Sequence, residues 1–160
     1  MRTIDLKFVY QILSENEKQS VIKLWEESQV VSKNEAIKRV NQVSVLLLHN
    51  DNTIGVSTIY PHDFVIPNNP YFFFRMFIKK EFRGDNAIRT KLMQLNFRKL
   101  KKKYGNHMHG IVIELENKKL EKLGEKSKYF QQRGYTYQGK SPRGLQLWYV
   151  RFDEPKGIFT

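Results

Sequence analysis

The chain has 160 residues, enough to bury one core without disulfides or metals. It contains no cysteine, which excludes a disulfide scaffold, a thiolate nucleophile and cysteine-ligated zinc, and points to a reducing compartment. Lys and Arg number 28 against 16 Asp and Glu, a net charge of +12 that favours anionic partners such as coenzyme phosphates, nucleic acid or anionic lipid. The longest apolar runs, such as Val45 to Leu48 and Tyr71 to Phe74, fall far short of the roughly 20 residues of a membrane span. Met1 to Tyr10 lacks the apolar block of a signal peptide, so a single cytoplasmic domain away from membranes is expected.

Lys7 to Leu13 reads as a short strand. Ser14 with Glu17 has capping-box spacing and opens a helix to about Ser28, with Val21, Ile22, Leu24 and Trp25 as its core stripe. Ser32 with Glu35 opens a second, in which Ala36, Ile37, Val40 and Val43 recur at helical spacing. Ser44 to His49 and Thr53 to Tyr60 form a hairpin about Asn50-Asp51-Asn52. Pro61, Pro67 and Pro70 bracket a loop, and Tyr71 to Ile78 is an almost unbroken apolar run expected to be a central strand buried on both faces. Asp85 to Lys103 carries Ile88, Leu92, Leu95 and Met93, Phe97, Leu100 at helical intervals with basic residues between, and Gly105 ends it. Gly110 to Leu115 is a strand, Lys118 to Arg133 is mostly helical, and Tyr135 to Arg151 gives two strands joined through Gly139, Pro142 and Gly144. The tail after Phe152 carries few core signals. This order gives an α/β (α+β) fold, a mixed sheet of six to seven strands with helices on both faces.

Eight of the twelve excess charges lie between Lys79 and Lys103. Within that span, Ile78-Lys79-Lys80-Glu81-Phe82-Arg83-Gly84 joins a buried strand to a helix N-terminus. Such a turn gathers several backbone N–H groups in front of the positive end of a helix dipole, which suits a pyrophosphate. Arg83 and Arg89 add charge-assisted donors, and Gly84 permits close approach. An ordinary strand-to-helix turn with solvated lysines has the same composition.

Joined to the element order, this stretch resembles the GNAT superfamily of acyl-CoA-dependent N-acyltransferases, whose pattern there is Val-x-Pro-x-Tyr-Arg-Gly before a glycine-rich helix start. Ile78 stands for the valine and Phe82 for the tyrosine, Arg83 and Gly84 match outright, and Lys80 replaces the proline. Tyr129-Phe130-Gln131-Gln132-Arg133-Gly134-Tyr135 is similar to the family's Leu-Tyr-x-x-x-Gly-Phe, and Asn117 resembles an asparagine common after the fifth strand. The resemblance covers about residues 8–152 and implies one GNAT-like domain over 1–160 with the fourth and fifth strands splayed. It implies acetyl-CoA or another acyl-CoA as the acyl donor. Its pantetheine would lie along the backbone of Arg75, Met76, Phe77 and Ile78, and its pyrophosphate on Arg83, Gly84, Asp85, Asn86, Ala87, Ile88 and Arg89. The amine would attack the thioester directly, with an oxyanion held by a backbone N–H and an acid protonating the thiolate.

The chain departs from the family pattern in three places. Asn86 and Ile88 stand where glycine and glycine or alanine are usual, and Asn86 is a substitute able to take positive φ. Phe74 and Arg75 occupy the fourth-strand positions that often carry a basic glutamate. The usual acid tyrosine falls on Phe130, leaving Tyr129 about 100° away around the helix. Glu114, Glu116, Asp63 or a water chain remain as bases, with Glu114, Asn117 and Tyr129 the catalytic candidates. A nucleobase amine, unlike lysine, is not protonated at neutral pH, so the missing carboxylate and the charge together favour an anionic acceptor such as DNA, RNA, a nucleotide or charged transfer RNA. The alternative is a non-catalytic domain of the same fold that binds nucleic acid or a protein through its basic helix. Either would be a monomer or homodimer. His107 with His109 lacks a third metal ligand, His62 with Asp63 reads as surface loop, and Tyr71 to Phe74 with Phe77 read as core.

Overall fold

The spacing of Ser14 and Glu17 produces the expected capping box in the computed structural model, which describes residues 3–66, 68–116 and 128–160. The Glu17 N–H donates to Ser14 Oγ (3.2 Å) and the Ser14 N–H to Glu17 Oε1 (2.9 Å), while Lys7 Nζ donates to Glu17 Oε2 (2.9 Å). Helix α1 (Glu15–Glu27) follows, burying Val21, Leu24 and Trp25. Burial acts to raise the Glu17 carboxyl, but the Ser14 N–H and the Lys7 ammonium outweigh it and leave the group below its ordinary value of 4.5. A depressed carboxyl stabilises the fold above that ordinary value and loses its contribution as the pH falls below it. Ser14→Ala should lower unfolding stability by about 1 kcal/mol, read as a shift in the urea midpoint at neutral pH.

Backbone contacts divide the chain into two compact units, Met1–Ile59 with Arg75–Asn96 and Tyr60–Phe74 with Phe97–Thr160. In the first, β1 (Asp5–Phe8) pairs antiparallel with β2 (Val43–His49), which pairs antiparallel with β3 (Asn52–Ile66). Asn50 and Asp51 turn the β2–β3 hairpin with φ of 50° and 64°, the left-handed pair a tight hairpin demands. Helix α2 (Lys33–Arg39) is capped by Ser32 and stops sooner than the apolar spacing predicts: Val40–Gln42 is a 3₁₀ turn, Val43 already belongs to β2, and Ile37 is 51% exposed. Val9, Val21, Leu24, Trp25, Ala36, Val40, Val43, Leu46 and Val56 form this unit's core. Ser44 Oγ and Ser57 Oγ lie 2.7 Å apart within it, and Asn96 Nδ2 donates to Ser57 Oγ (3.2 Å) and to the Leu92 carbonyl (2.9 Å).

The proline-bracketed loop is not what forms. Strand β3 continues through Pro61 to Ile66 and β4 begins at Asn69. Proline is tolerated in a strand wherever its missing N–H is not needed by the ladder. Strand β4 (Asn69–Ile78) buries Tyr71 to Phe74, whereas Met76 is 39% exposed, so its second half is not the two-sided core strand that the sequence suggests.

The second unit contains the parallel ladder of β4 with β5 (Gly110–Glu114), followed by α4 (Tyr129–Arg133) and the antiparallel pair β6 (Thr136–Lys140) and β7 (Gln146–Arg151), β7 also pairing with β5. Helix α3 (Asn86–Tyr104) precedes β5. Of the predicted helix over 118–133, residues 118–127 lie outside the described residues. Tyr71, Phe73, Val112 and Leu147 form one core cluster. A second forms where Phe97 meets Phe152 and Phe159, and Tyr135 also meets Phe159. The tail is therefore part of the packing, through a 3₁₀ turn at Gly157–Phe159. The strands make one seven-stranded mixed sheet, ordered β1-β2-β3-β4-β5-β7-β6. Among the described residues no helix is long and apolar enough to cross a membrane.

Candidate active site

The second half of β4 is held closely on its β3 side. The Lys79 N–H donates to the Ile54 carbonyl (2.8 Å), and a Cβ on Gly55 would come within 2.8 Å of the Phe77 carbonyl oxygen. Glycine at 55 is what lets the two backbones approach. The ladder with β5 consists of three pairs, Phe72 with Ile111, Phe73 with Val112 and Phe74 with Ile113. Arg75, Met76, Phe77 and Ile78 run on past its last pair, and β5 ends one residue beyond that pair, at Glu114.

After Ile78 the chain makes a 3₁₀ turn, Lys80–Phe82, whose Phe82 ring packs on His49 at 5.1 Å. Arg83 folds back on the strand: its Nε–H donates to the Ile78 carbonyl (2.7 Å) and its guanidinium lies 5.4 Å from the Phe77 ring centroid. One of the strand-end carbonyls expected to face the pantetheine is thus already bonded to Arg83. Gly84 has φ +100°, and nothing lies within 4 Å of the place a Cβ would occupy, so the backbone here is open to a ligand.

Two features of the helix start differ from the expectation. Asn86 is already helical and needs no positive φ, because Gly84 provides the left-handed residue. Asp85 brings its own carboxylate to the helix end, Oδ1 accepting from the Ala87 N–H at 2.9 Å. Ala87 is exposed, and Ile88 and Arg89 are half-buried. The turn fits a pyrophosphate by its open glycine and its cationic helix, which contains no acidic residue between Asn86 and Tyr104, but one of its amides is capped by the chain itself.

In the second unit, Glu114 ends β5 opposite Leu147 of β7. Its side chain is 6% exposed, and Oε1 accepts from Arg143 Nη1 at 2.9 Å, the same nitrogen that reaches Glu116 Oε1 at 3.0 Å. Glu116 is 60% exposed, so of these two carboxylates Glu114 is the one withdrawn from water. Hydrogen bonding to Glu116 first, then the charges of Glu114 and Glu116, raise the Arg143 pKa and keep the guanidinium charged. Sequence reasoning missed Arg143. Its signal was the turn Ser141-Pro142-Arg143-Gly144: Ser141 Oγ accepts from the Arg143 N–H (3.2 Å), Gly144 has φ +77°, and β7 returns beside β5.

Phe130 is buried, its ring meeting Tyr135 and Trp148 at centroid distances of 5.8 and 5.3 Å. Tyr129 is half-buried on the adjoining face of α4, with the Arg133 guanidinium 4.6 Å from its ring centroid. Asn117 lies outside the described residues. Met76 to Arg89 thus form one continuous segment of the first unit, while Glu114 and Tyr129 belong to the second. His109 is structural: its N–H donates to the Pro70 carbonyl, its carbonyl accepts from Phe152, and its ring stacks on Tyr71. Among the described residues no group of three or more His, Cys, Asp or Glu is placed to hold a metal.

No protein-family model matches the chain, and no curated protein matches it by sequence. Solved structures do match. An N-acetyltransferase from Staphylococcus aureus Mu50 aligns at TM-score 0.65 and 11% identity, over 95% of this chain and 99% of that one. A GNAT-family acetyltransferase from Streptococcus pneumoniae aligns at 0.61 and 10%, over 93% and 99%. N-acetylglutamate synthase from Neisseria gonorrhoeae, complexed with coenzyme A and N-acetyl-glutamate, aligns at 0.56 and 12%, over 95% of this chain and 36% of that one. The order of strands, the ladder that ends halfway along β4 and these alignments agree: the chain has the GNAT fold.

Proposed function

We propose that the chain is an N-acyltransferase that takes an acetyl or related acyl group from acyl-CoA and transfers it to an amine. The observation that carries this is the open Gly84 turn, which follows the part of β4 beyond its last pair with β5 and opens onto a helix with no acidic residue. In this reading the backbone of Met76 to Ile78 binds the pantetheine arm, and Arg83, Gly84 and the first turn of α3 through Arg89 bind the pyrophosphate. Glu114 takes a proton as the amine attacks the thioester carbonyl. A backbone N–H holds the oxyanion, and Tyr129 gives its proton to the departing thiolate. Asn117 is kept in this reading as the third catalytic candidate.

The acceptor we favour is a nucleobase, nucleotide or aminoacyl-tRNA amine. A net charge of +12, eight of it between Lys79 and Lys103, attracts polyanions. A cysteine-free enzyme using a coenzyme A thioester belongs in the cytoplasm. The second reading, a non-catalytic domain, draws on the Asp85 carboxylate bound where a phosphate would sit.

Calorimetric titration with CoA and acetyl-CoA separates the two. Arg83→Ala should weaken coenzyme binding by about 10- to 150-fold, the equivalent of a charged hydrogen bond at about 1.5 to 3 kcal/mol. Heat from neither ligand with the intact protein would leave the non-catalytic reading standing.

A further inference from the structure

The last two turns of α3 carry far more positive charge than a coenzyme uses. Arg98, Lys99, Lys101, Lys102 and Lys103 are all exposed, and the one residue among them without charge, Leu100, is fully buried. At about 100° per residue these side chains fan over the whole solvent face of the helix around that single anchor. Arg98 with Lys101 and Lys102, and Lys99 with Lys102 and Lys103, are like charges at the three- and four-residue spacings that repel. Among the described residues no carboxylate comes within ion-pair distance of any of the five, whereas Arg143 and Arg151 both have acidic partners. Lys101 lies 6.0 Å from the Phe97 ring centroid and Lys103 5.4 Å from that of Tyr104, contacts that leave their charge unneutralised.

The composition of this face selects its partner. Among the described residues the large apolar side chains left exposed are Ile12, Val30, Ile37, Met76 and Tyr137, none of them on this stretch, so there is no anchor for insertion into a lipid surface. A protein interface would need an apolar centre, and this face has none. Charge alone suits a phosphate backbone. Five cations among the six residues 98–103, within about 8 Å of helix axis, make a cluster dense enough to meet several phosphates at once.

We propose that the exposed face of Arg98–Lys103 is a nucleic-acid backbone site that holds RNA or DNA without reading its bases. It deepens the acceptor reading above and rests on it for its role in acyl transfer, while the binding itself stands apart from catalysis. Fluorescence anisotropy with a short labelled RNA duplex and the corresponding single strand, across a salt series, tests it. Wild-type affinity should fall with a log–log slope of about −3 to −4, some four contacts at about −0.9 each on a duplex. The variant carrying Arg98→Glu, Lys99→Glu and Lys102→Glu should bind at least about tenfold more weakly, with a slope shallower by about 2 to 3. A companion with glutamine at the same three positions guards against misfolding, and both should keep wild-type coenzyme titrations. A flat wild-type slope, an unchanged slope in both variants, or competition by polyglutamate as effective as by RNA would overturn the site. Coenzyme binding without RNA binding would remove this surface alone; RNA binding without coenzyme binding would remove the acyltransferase reading alone.

Discussion

Glu114→Gln should lower kcat by about two to four orders of magnitude and leave coenzyme affinity unchanged, the signature of losing a general base. Glutamine keeps the shape and can still accept from Arg143 Nη1, but it cannot take a proton. Glu114 is 6% exposed and shares one Arg143 nitrogen with Glu116, so its Oε1 is held while Oε2 takes no partner among the described residues. Glu116→Gln removes the more exposed carboxylate of that pair and should alter kcat no more than about threefold. Equal losses in the two variants would make the Arg143 cluster a structural clamp. No loss in either would pass the base role to Asp63 or water.

Tyr129→Phe should reduce turnover by about tenfold to several hundredfold, with coenzyme affinity little changed. Phe130 cannot donate a proton, and the structure shows why that register cannot be repaired by a small rotation: Phe130 is committed to the core against Tyr135 and Trp148. The Arg133 guanidinium over the Tyr129 ring keeps a cation beside the phenol. Tyr135→Phe is the control, since burial pushes that phenol well above its ordinary range and holds it neutral, a role in packing. Single-turnover measurements that find Tyr129→Phe as fast as wild type would assign thiolate protonation to another group.

Most of the strand and helix order could be read in advance because periodicity and capping act locally. Ser14 and Ser32 start their helices where their spacing to Glu17 and Glu35 says they should. The misreadings are those that neighbouring elements decide. Ile37 has helical spacing yet lies exposed, because α2 is seven residues long and its core-facing side is Ala36. Pro61 looked like a breaker and is carried inside β3. Phe159 had no periodic company to announce it; it packs because Gly134 and Gly157 let the α4 end and the tail approach closely, a Cβ at either meeting the opposite backbone. In the candidate site, Arg83-Gly84 was visible as a motif, but the Arg83 bond to Ile78 and the Arg143 clamp on Glu114 depend on how the chain returns, which spacing along one strand does not encode.

The carboxylate of Asp85 at the head of α3 has a consequence for the proposed coenzyme site, because it already holds one N–H of that helix end. An anion that uses the Ala87 N–H has to displace a carboxylate that the chain itself supplies at high effective concentration. A singly charged ion with few oxygens, such as chloride or acetate, gains nothing from the exchange. In the proposed reading a pyrophosphate, with several charges and many acceptor oxygens, would use the Gly84 backbone and Arg89 as well as that amide, which favours it in the exchange. In that reading the helix start would favour polyvalent ligands over small monovalent anions, at the cost of part of its affinity for both.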